Sequence, residues 1–64
     1  MNDLIKVLLV DDHAIVRKGI IALLATESDI QVIGEAGNGA DAIIQAEALK
    51  PDVILMDLVM PEVD

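Results

Sequence analysis

The stretch that decides the fold is IKVLLV, Ile5 to Val10, followed at once by Asp11 and Asp12. Apart from Lys6 the run is apolar throughout and lacks the alternation of a strand with one wet face. A strand hydrophobic on both faces belongs in a parallel sheet covered by helices, not in a hairpin. The abrupt change at Asp11 marks its end.

Downstream, Val16, Ile20, Leu23 and Leu24 fall at i, i+4, i+7 and i+8 within Ala14 to Ala25. That spacing predicts a helix with one apolar stripe and with Arg17 and Lys18 on its outer side. Gly19 inside it costs about 1 kcal/mol relative to alanine, which predicts a neighbour packed closely there. Thr26 to Asp29 reads as a turn and Ile30 to Ala36 (IQVIGEA) as a second strand. Gly37-Asn38-Gly39 then breaks the chain, with Asn38 as the helix N-cap. Ala42, Ile43, Ala46 and Leu49 mark the apolar side of a second helix, which Lys50-Pro51-Asp52 stops because proline cannot continue it. Val53 to Met56 (VILM) is a third strand, ending on Asp57.

The order β-α-β-α-β predicts an α/β fold with a parallel sheet. Right-handed crossovers restrict it further, and a strand order of 2-1-3 places the two helices on opposite faces. The carboxyl ends of strands one and three are then neighbours at a topological switch point, where open α/β sheets bind ligands.

Composition narrows the function. The chain has 64 residues, enough for at most one small domain. Hydrophobic residues make up 55%, which argues against disorder, yet no apolar stretch approaches the roughly 20 residues of a membrane span. MNDLIK does not open a signal peptide, so a cytoplasmic location is expected. Without cysteine there are neither disulfides nor thiolate metal sites. Twelve acidic residues against four basic ones give a net charge of −8, the wrong sign for a segment that touches DNA. The absence of Phe, Tyr and Trp leaves no stacking platform for bases or flavins.

In a 2-1-3 sheet, Asp11, Asp12 and Asp57 meet at one edge. Each alone reads as an ordinary turn or cap residue. Three carboxylates together repel one another, and a hard divalent cation removes that penalty. Mg2+ takes oxygen ligands and keeps several waters, which one or two aspartates supply. A cation there would neutralise an incoming phosphoryl group and leave an aspartate oxygen as the nucleophile.

VLLVDDHAIVRKGI, GEAGNGADAI and KPDVILMDLVMP together resemble the receiver domain of two-component response regulators, over essentially the whole chain. The DDH…R.G variant is similar to the subfamily that carries a LuxR-type helix-turn-helix output domain. The resemblance implies a flavodoxin-like doubly wound sheet of order 2-1-3-4-5, so the topological expectation is not independent of it. It also implies Asp57 as phosphoacceptor, taking the group from a phosphohistidine of a sensor histidine kinase. Asp12 would ligate Mg2+ directly, Asp11 chiefly through water, and the backbone carbonyl of Val59 would be a third protein ligand. Receiver–receiver self-association and a transcriptional output domain outside residues 1–64 are further implications. The family pattern breaks off at Asp64, so the chain is expected to be a receiver truncated after the third strand, with an open third-strand edge and marginal stability in isolation.

Other features have plainer readings. His13 is expected at the surface or in the first turn of helix one. Gly34, Gly37 and Gly39 do not match a phosphate-loop spacing and are assigned turn and helix-start duties. Met56 and Met60 are packing residues, and Pro61 shapes the loop that presents Val59. Two other functions compete with the signalling module. An aspartyl phosphohydrolase would want a second aspartate where Val59 stands. A non-phosphorylated stub would only bind a kinase or another receiver.

Overall fold

The computed structural model describes residues 3–57. Five elements alternate along it: β1 (Ile5–Val10), α1 (Ala14–Leu24), β2 (Ile30–Ala36), α2 (Gly39–Leu49) and β3 (Val53–Met56). The strands form one parallel sheet of order β2-β1-β3. The expected order is therefore found, with β1 in the middle.

Pairing on both sides explains why β1 carries the core. Val7, Leu8, Leu9 and Val10 are all buried, and Leu8 is fully so. Successive side chains point to opposite faces of the sheet. Leu8 and Val10 pack with Ala36 of β2 and with Ala42 and Ala46 of α2. Leu9 faces the other way, towards Val16 and Ile20 of α1. Each face of the sheet thus receives one helix.

Local chemistry sets the element ends. The Asn38 side chain accepts a hydrogen bond of 2.8 Å from the Asp41 backbone N–H, the expected cap of α2. Lys50 ends that helix in the left-handed conformation (φ 53°) with its N–H on the Ala46 carbonyl, and Pro51 prevents continuation. Asp52 then fixes the entry into β3. Its N–H donates to the Lys6 carbonyl at 2.8 Å, while its Oδ2 accepts from the Lys6 N–H at 2.9 Å.

Several details depart from the sequence reading. The helix faces are barer than their stripes suggest: no residue of α1 is buried, Leu23 is 70% exposed, and Ile43 points outward from α2 at 63%. In β3, the four apolar residues stay 39–45% exposed, because β3 pairs with β1 along one edge only among the described residues. Gly19 has no close neighbour, since a Cβ there would meet nothing within 4 Å. Gly34, rather than Gly19, is the glycine with close neighbours. It lies within β2, after a register shift that leaves Ile33 unpaired between Val32 and Gly34. A Cβ at Gly34 would sit 2.7 Å from both Gln45 Oε1 and Leu49 Cδ1, so these α2 side-chain ends lie directly over its bare backbone. Among the described residues, no helix is long and apolar enough to cross a membrane.

Candidate functional site: an acidic cluster at the sheet's carboxyl edge

β1 delivers Asp11 into the interior. Its N–H donates to the Ala36 carbonyl at 3.0 Å, which keeps the backbone in the ladder beside β2. The side chain is turned in, with only 1% of its surface exposed. Asp11 Oδ1 accepts the His13 N–H at 2.8 Å and so forms the turn into α1. Asp11 Oδ2 is buried with no hydrogen-bond partner among the described residues. Leaving a buried acceptor unsatisfied costs about 1–3 kcal/mol, and more for a charged group.

β3 brings Asp57 to the same edge. The Asp57 N–H donates to the Val10 carbonyl at 3.0 Å, one step beyond the Val10–Met56 pair. Adjacent parallel strands run roughly 4.8 Å apart, so Asp11 and Asp57 end neighbouring strands side by side. Both line an open groove of about 370 Å³ whose apolar wall is Leu9, Val16, Ile20, Leu55 and Met56. Asp12 lies outside the ladder, with 35% of its side chain exposed. The structure therefore brings Asp11 and Asp57 to one groove and places Asp12 next along the chain. Val59, Met60 and Pro61 lie outside the described residues.

Two residues read as bland in the sequence join this edge. His13 is the N-cap of α1 and its side chain is 53% exposed, in keeping with a surface position. Its Nδ1 nevertheless lies 3.2 Å from Asp11 Oδ1 and 2.8 Å from Asp12 Oδ1. Arg17 is a clear correction, because it does not face outward. Its Nη1 donates to the Asp11 carbonyl at 2.6 Å and its Nε to Glu35 Oε1 at 2.7 Å, with 20% of the side chain exposed. The signal for this was available: helical side chains lean towards the N-terminus, and Arg17 sits one turn after His13. Arg17 thereby ties α1 to the ends of β1 and β2. Arg17→Met is expected to lower stability by about 1–2 kcal/mol through the lost charge-assisted bonds. Lys18→Met should stay within about 0.5 kcal/mol, as surface changes do. Urea denaturation of the two variants checks the contrast.

The donor set suits a hard divalent cation. Asp11, Asp12 and Asp57 offer only oxygen, and the orphaned Asp11 Oδ2 is an acceptor without a donor. Aspartates also end strands in many proteins without ions, so likeness to known proteins bears on what this edge is.

An open parallel α/β sheet of order 2-1-3 with aspartates at its switch point is the doubly wound class of fold, in which ligands bind at that edge. The chain belongs to the response regulator receiver domain family, whose model matches residues 7–64. It is 58% identical over 60 residues to the response regulator protein VraR of Staphylococcus aureus, and equally to that of Staphylococcus epidermidis. The match takes in 94% of this chain and 29% of VraR, so the chain spans less than a third of those relatives. Among solved structures, the signal receiver domain of NarL from Mycobacterium tuberculosis superposes with a TM-score of 0.84 at 37% identity. That likeness covers 97% of this chain and 50% of the NarL chain. The response regulator domain of Thermotoga maritima CheB gives a TM-score of 0.84 at 41% identity, over 95% of this chain and 46% of that one. The fold is thus the flavodoxin-like receiver fold, and the family is one of signalling domains.

Proposed function

We propose that Asp57 is the phosphoacceptor of this receiver and that Asp11 and Asp12 hold the Mg2+ that phosphoryl transfer requires. The observation that carries the reading is the placement of Asp57 beside the buried Asp11 across adjacent strands, facing one groove. The Val59 backbone carbonyl completes the ligand set by family resemblance. Bound Mg2+ would offset the mutual repulsion of the carboxylates and the charge on the transferring oxygens.

The chain's own residues do the rest. An Asp57 carboxylate oxygen attacks the phosphorus of a phosphohistidine on a sensor histidine kinase. The P–N bond breaks as the P–O bond forms, and the imidazole departs with a proton from solvent. The product is an acyl phosphate on Asp57. Asp57 is consumed as a substrate, so the domain takes part in its own modification without being a conventional enzyme. Residues 1–64 form the first part of a receiver, supported by their match to about half of two solved receiver domains. By its resemblance to the LuxR-type subfamily, the output is a DNA-binding transcriptional domain outside residues 1–64, and the net charge of −8 fits a segment that does not itself contact DNA. The protein works in the cytoplasm.

A second reading has one observation behind it. The apolar residues of β3 are 39–45% exposed, which suits a stub that binds a kinase or another receiver by its open edge. Incubation with acetyl phosphate followed by intact-mass measurement separates the two. The phosphoacceptor reading expects one phosphoryl adduct with Mg2+ and none in EDTA. Unmodified protein under both conditions would favour the stub.

A further inference from the structure

We propose that Arg17 is the positioning residue of the acidic edge. Its guanidinium clamps the turn from Asp11 to His13 and so aims the Asp11 and Asp12 carboxylates at a bound cation. The inference rests on the reading of these aspartates as Mg2+ ligands and adds a residue that touches no cation itself.

Both ends of the turn are held by this one residue. The Arg17 backbone N–H donates to the His13 carbonyl at 2.9 Å, the first bond of α1. Its Nη1 reaches back to the Asp11 carbonyl at 2.6 Å. Asp12 lies in the chain between these two held carbonyls. Asp11 is fixed further by its N–H on the Ala36 carbonyl at 3.0 Å and by its Oδ1, which accepts the His13 N–H at 2.8 Å. Its backbone N–H, its carbonyl and one carboxylate oxygen are thus all engaged. Oδ2 alone is left buried without a donor among the described residues. A carboxylate held in this way offers one oxygen in one direction.

Arginine suits the task because its donors share one rigid plane. While Nη1 serves Asp11, Nε donates to Glu35 Oε1 at 2.7 Å, so the ends of β1 and β2 are bridged by one group. Glu35 holds the guanidinium, and the guanidinium holds the turn. Without it the Asp11–Asp12 peptide can rotate, and the carboxylates lose the alignment that the strict octahedral geometry of Mg2+ demands. The charge of Arg17 works in the opposite sense, since a cation beside the site repels Mg2+. Removing Arg17 therefore has a sign that separates the two effects: weaker Mg2+ binding through positioning, tighter binding through charge alone.

The test titrates the full chain with Mg2+ by calorimetry, for the native protein, Arg17→Met and the charge-matched control Lys18→Met, whose lysine is exposed. The Mg2+ dissociation constant is expected to rise about 10-fold in Arg17→Met, the low end for loss of a group that orients a metal ligand. In Lys18→Met it should hold or fall slightly. A second readout needs no metal. In Mg2+-free buffer the His13 amide, whose acceptor is Asp11 Oδ1, should exchange several-fold faster in Arg17→Met, measured relative to the amide of Leu8 in the middle strand. Arg17→Lys carries the same test should Arg17→Met unfold. It keeps the charge but has one nitrogen where the guanidinium uses two, so changes in the same direction are expected. An unchanged or lower Mg2+ dissociation constant in a folded Arg17 variant would overturn the proposal, even where stability falls. So would an equal rise in Lys18→Met, or a His13 amide that exchanges at the native rate relative to Leu8. Should the native protein bind no Mg2+, the reading of the aspartates fails, and the His13 amide decides the clamp by itself.

Discussion

Asp57→Asn is expected to abolish the phosphoryl adduct that the native protein forms with acetyl phosphate and Mg2+, with no residual modification in the intact mass. The substitution removes the anionic nucleophile while keeping the size of the side chain. An amide has the size of the carboxylate but no anionic oxygen to attack phosphorus. The Asp57 N–H bond to the Val10 carbonyl is made by the backbone and survives the change. Circular dichroism should therefore show an unaltered fold. Asp12→Asn is a gentler change in the same reaction, since it weakens cation binding while the nucleophile remains. A persistent adduct in Asp57→Asn would remove Asp57 from its proposed role.

The largest loss of stability is expected from Leu8→Ala. Leu8 is fully buried in the middle strand and packs with Val10, Ala36 and Ala42 between the sheet and α2. Truncating a buried leucine costs about 2–5 kcal/mol, from lost transfer energy and the cavity left behind. Collapse around the site is limited, because Leu8 has paired strands on both sides. Total stability for a domain is only about 5–15 kcal/mol, and a chain this short stands at the low end. Leu8→Ala should thus lie near or beyond the unfolding midpoint without denaturant. Leu23→Ala is the matched control: that leucine is 70% exposed, and its loss should cost about 0.5 kcal/mol or less. Urea curves for both variants give the comparison.

What the sequence made legible follows from what its patterns encode. Strand and helix spans and the Asn38 cap were readable because each rests on local periodicity or turn chemistry, whereas the 2-1-3 order leaned on the family resemblance as well as on crossover handedness. That Asp11 and Asp57 line one groove follows from that order. Burial was less so, because a 3.6-residue stripe says which face is apolar and not whether anything covers it. Ile43 and Leu23 belong to such stripes and are mostly exposed. Gly34 lies in the expected second strand, but its close approach to the side-chain ends of Gln45 and Leu49 was not readable because both are remote in sequence. Gly19 was misjudged, since its cost in the helix finds no contact to explain it.

Arg17 and His13 show the same limit at the site. Helical position alone put Arg17 on the outer side of α1, yet its reach to the Asp11 carbonyl and Glu35 depends on where β2 ends. His13 had a surface position, as expected, while its ring met two carboxylates that the turn folds back towards it. Both residues turn back to Asp11 within six residues, a distance over which spacing rules for single elements say little, while Glu35 lies 18 residues from Arg17.

The most direct test of the central account locates the phosphoryl group by residue. After reaction with acetyl phosphate and Mg2+, borohydride reduces an acyl phosphate on aspartate to homoserine, and peptide mass mapping reads its position. The account predicts homoserine at position 57 alone, in an amount that falls to nothing when EDTA replaces Mg2+. Homoserine at Asp11 or Asp12, or at no position in protein that carries the adduct, would contradict it.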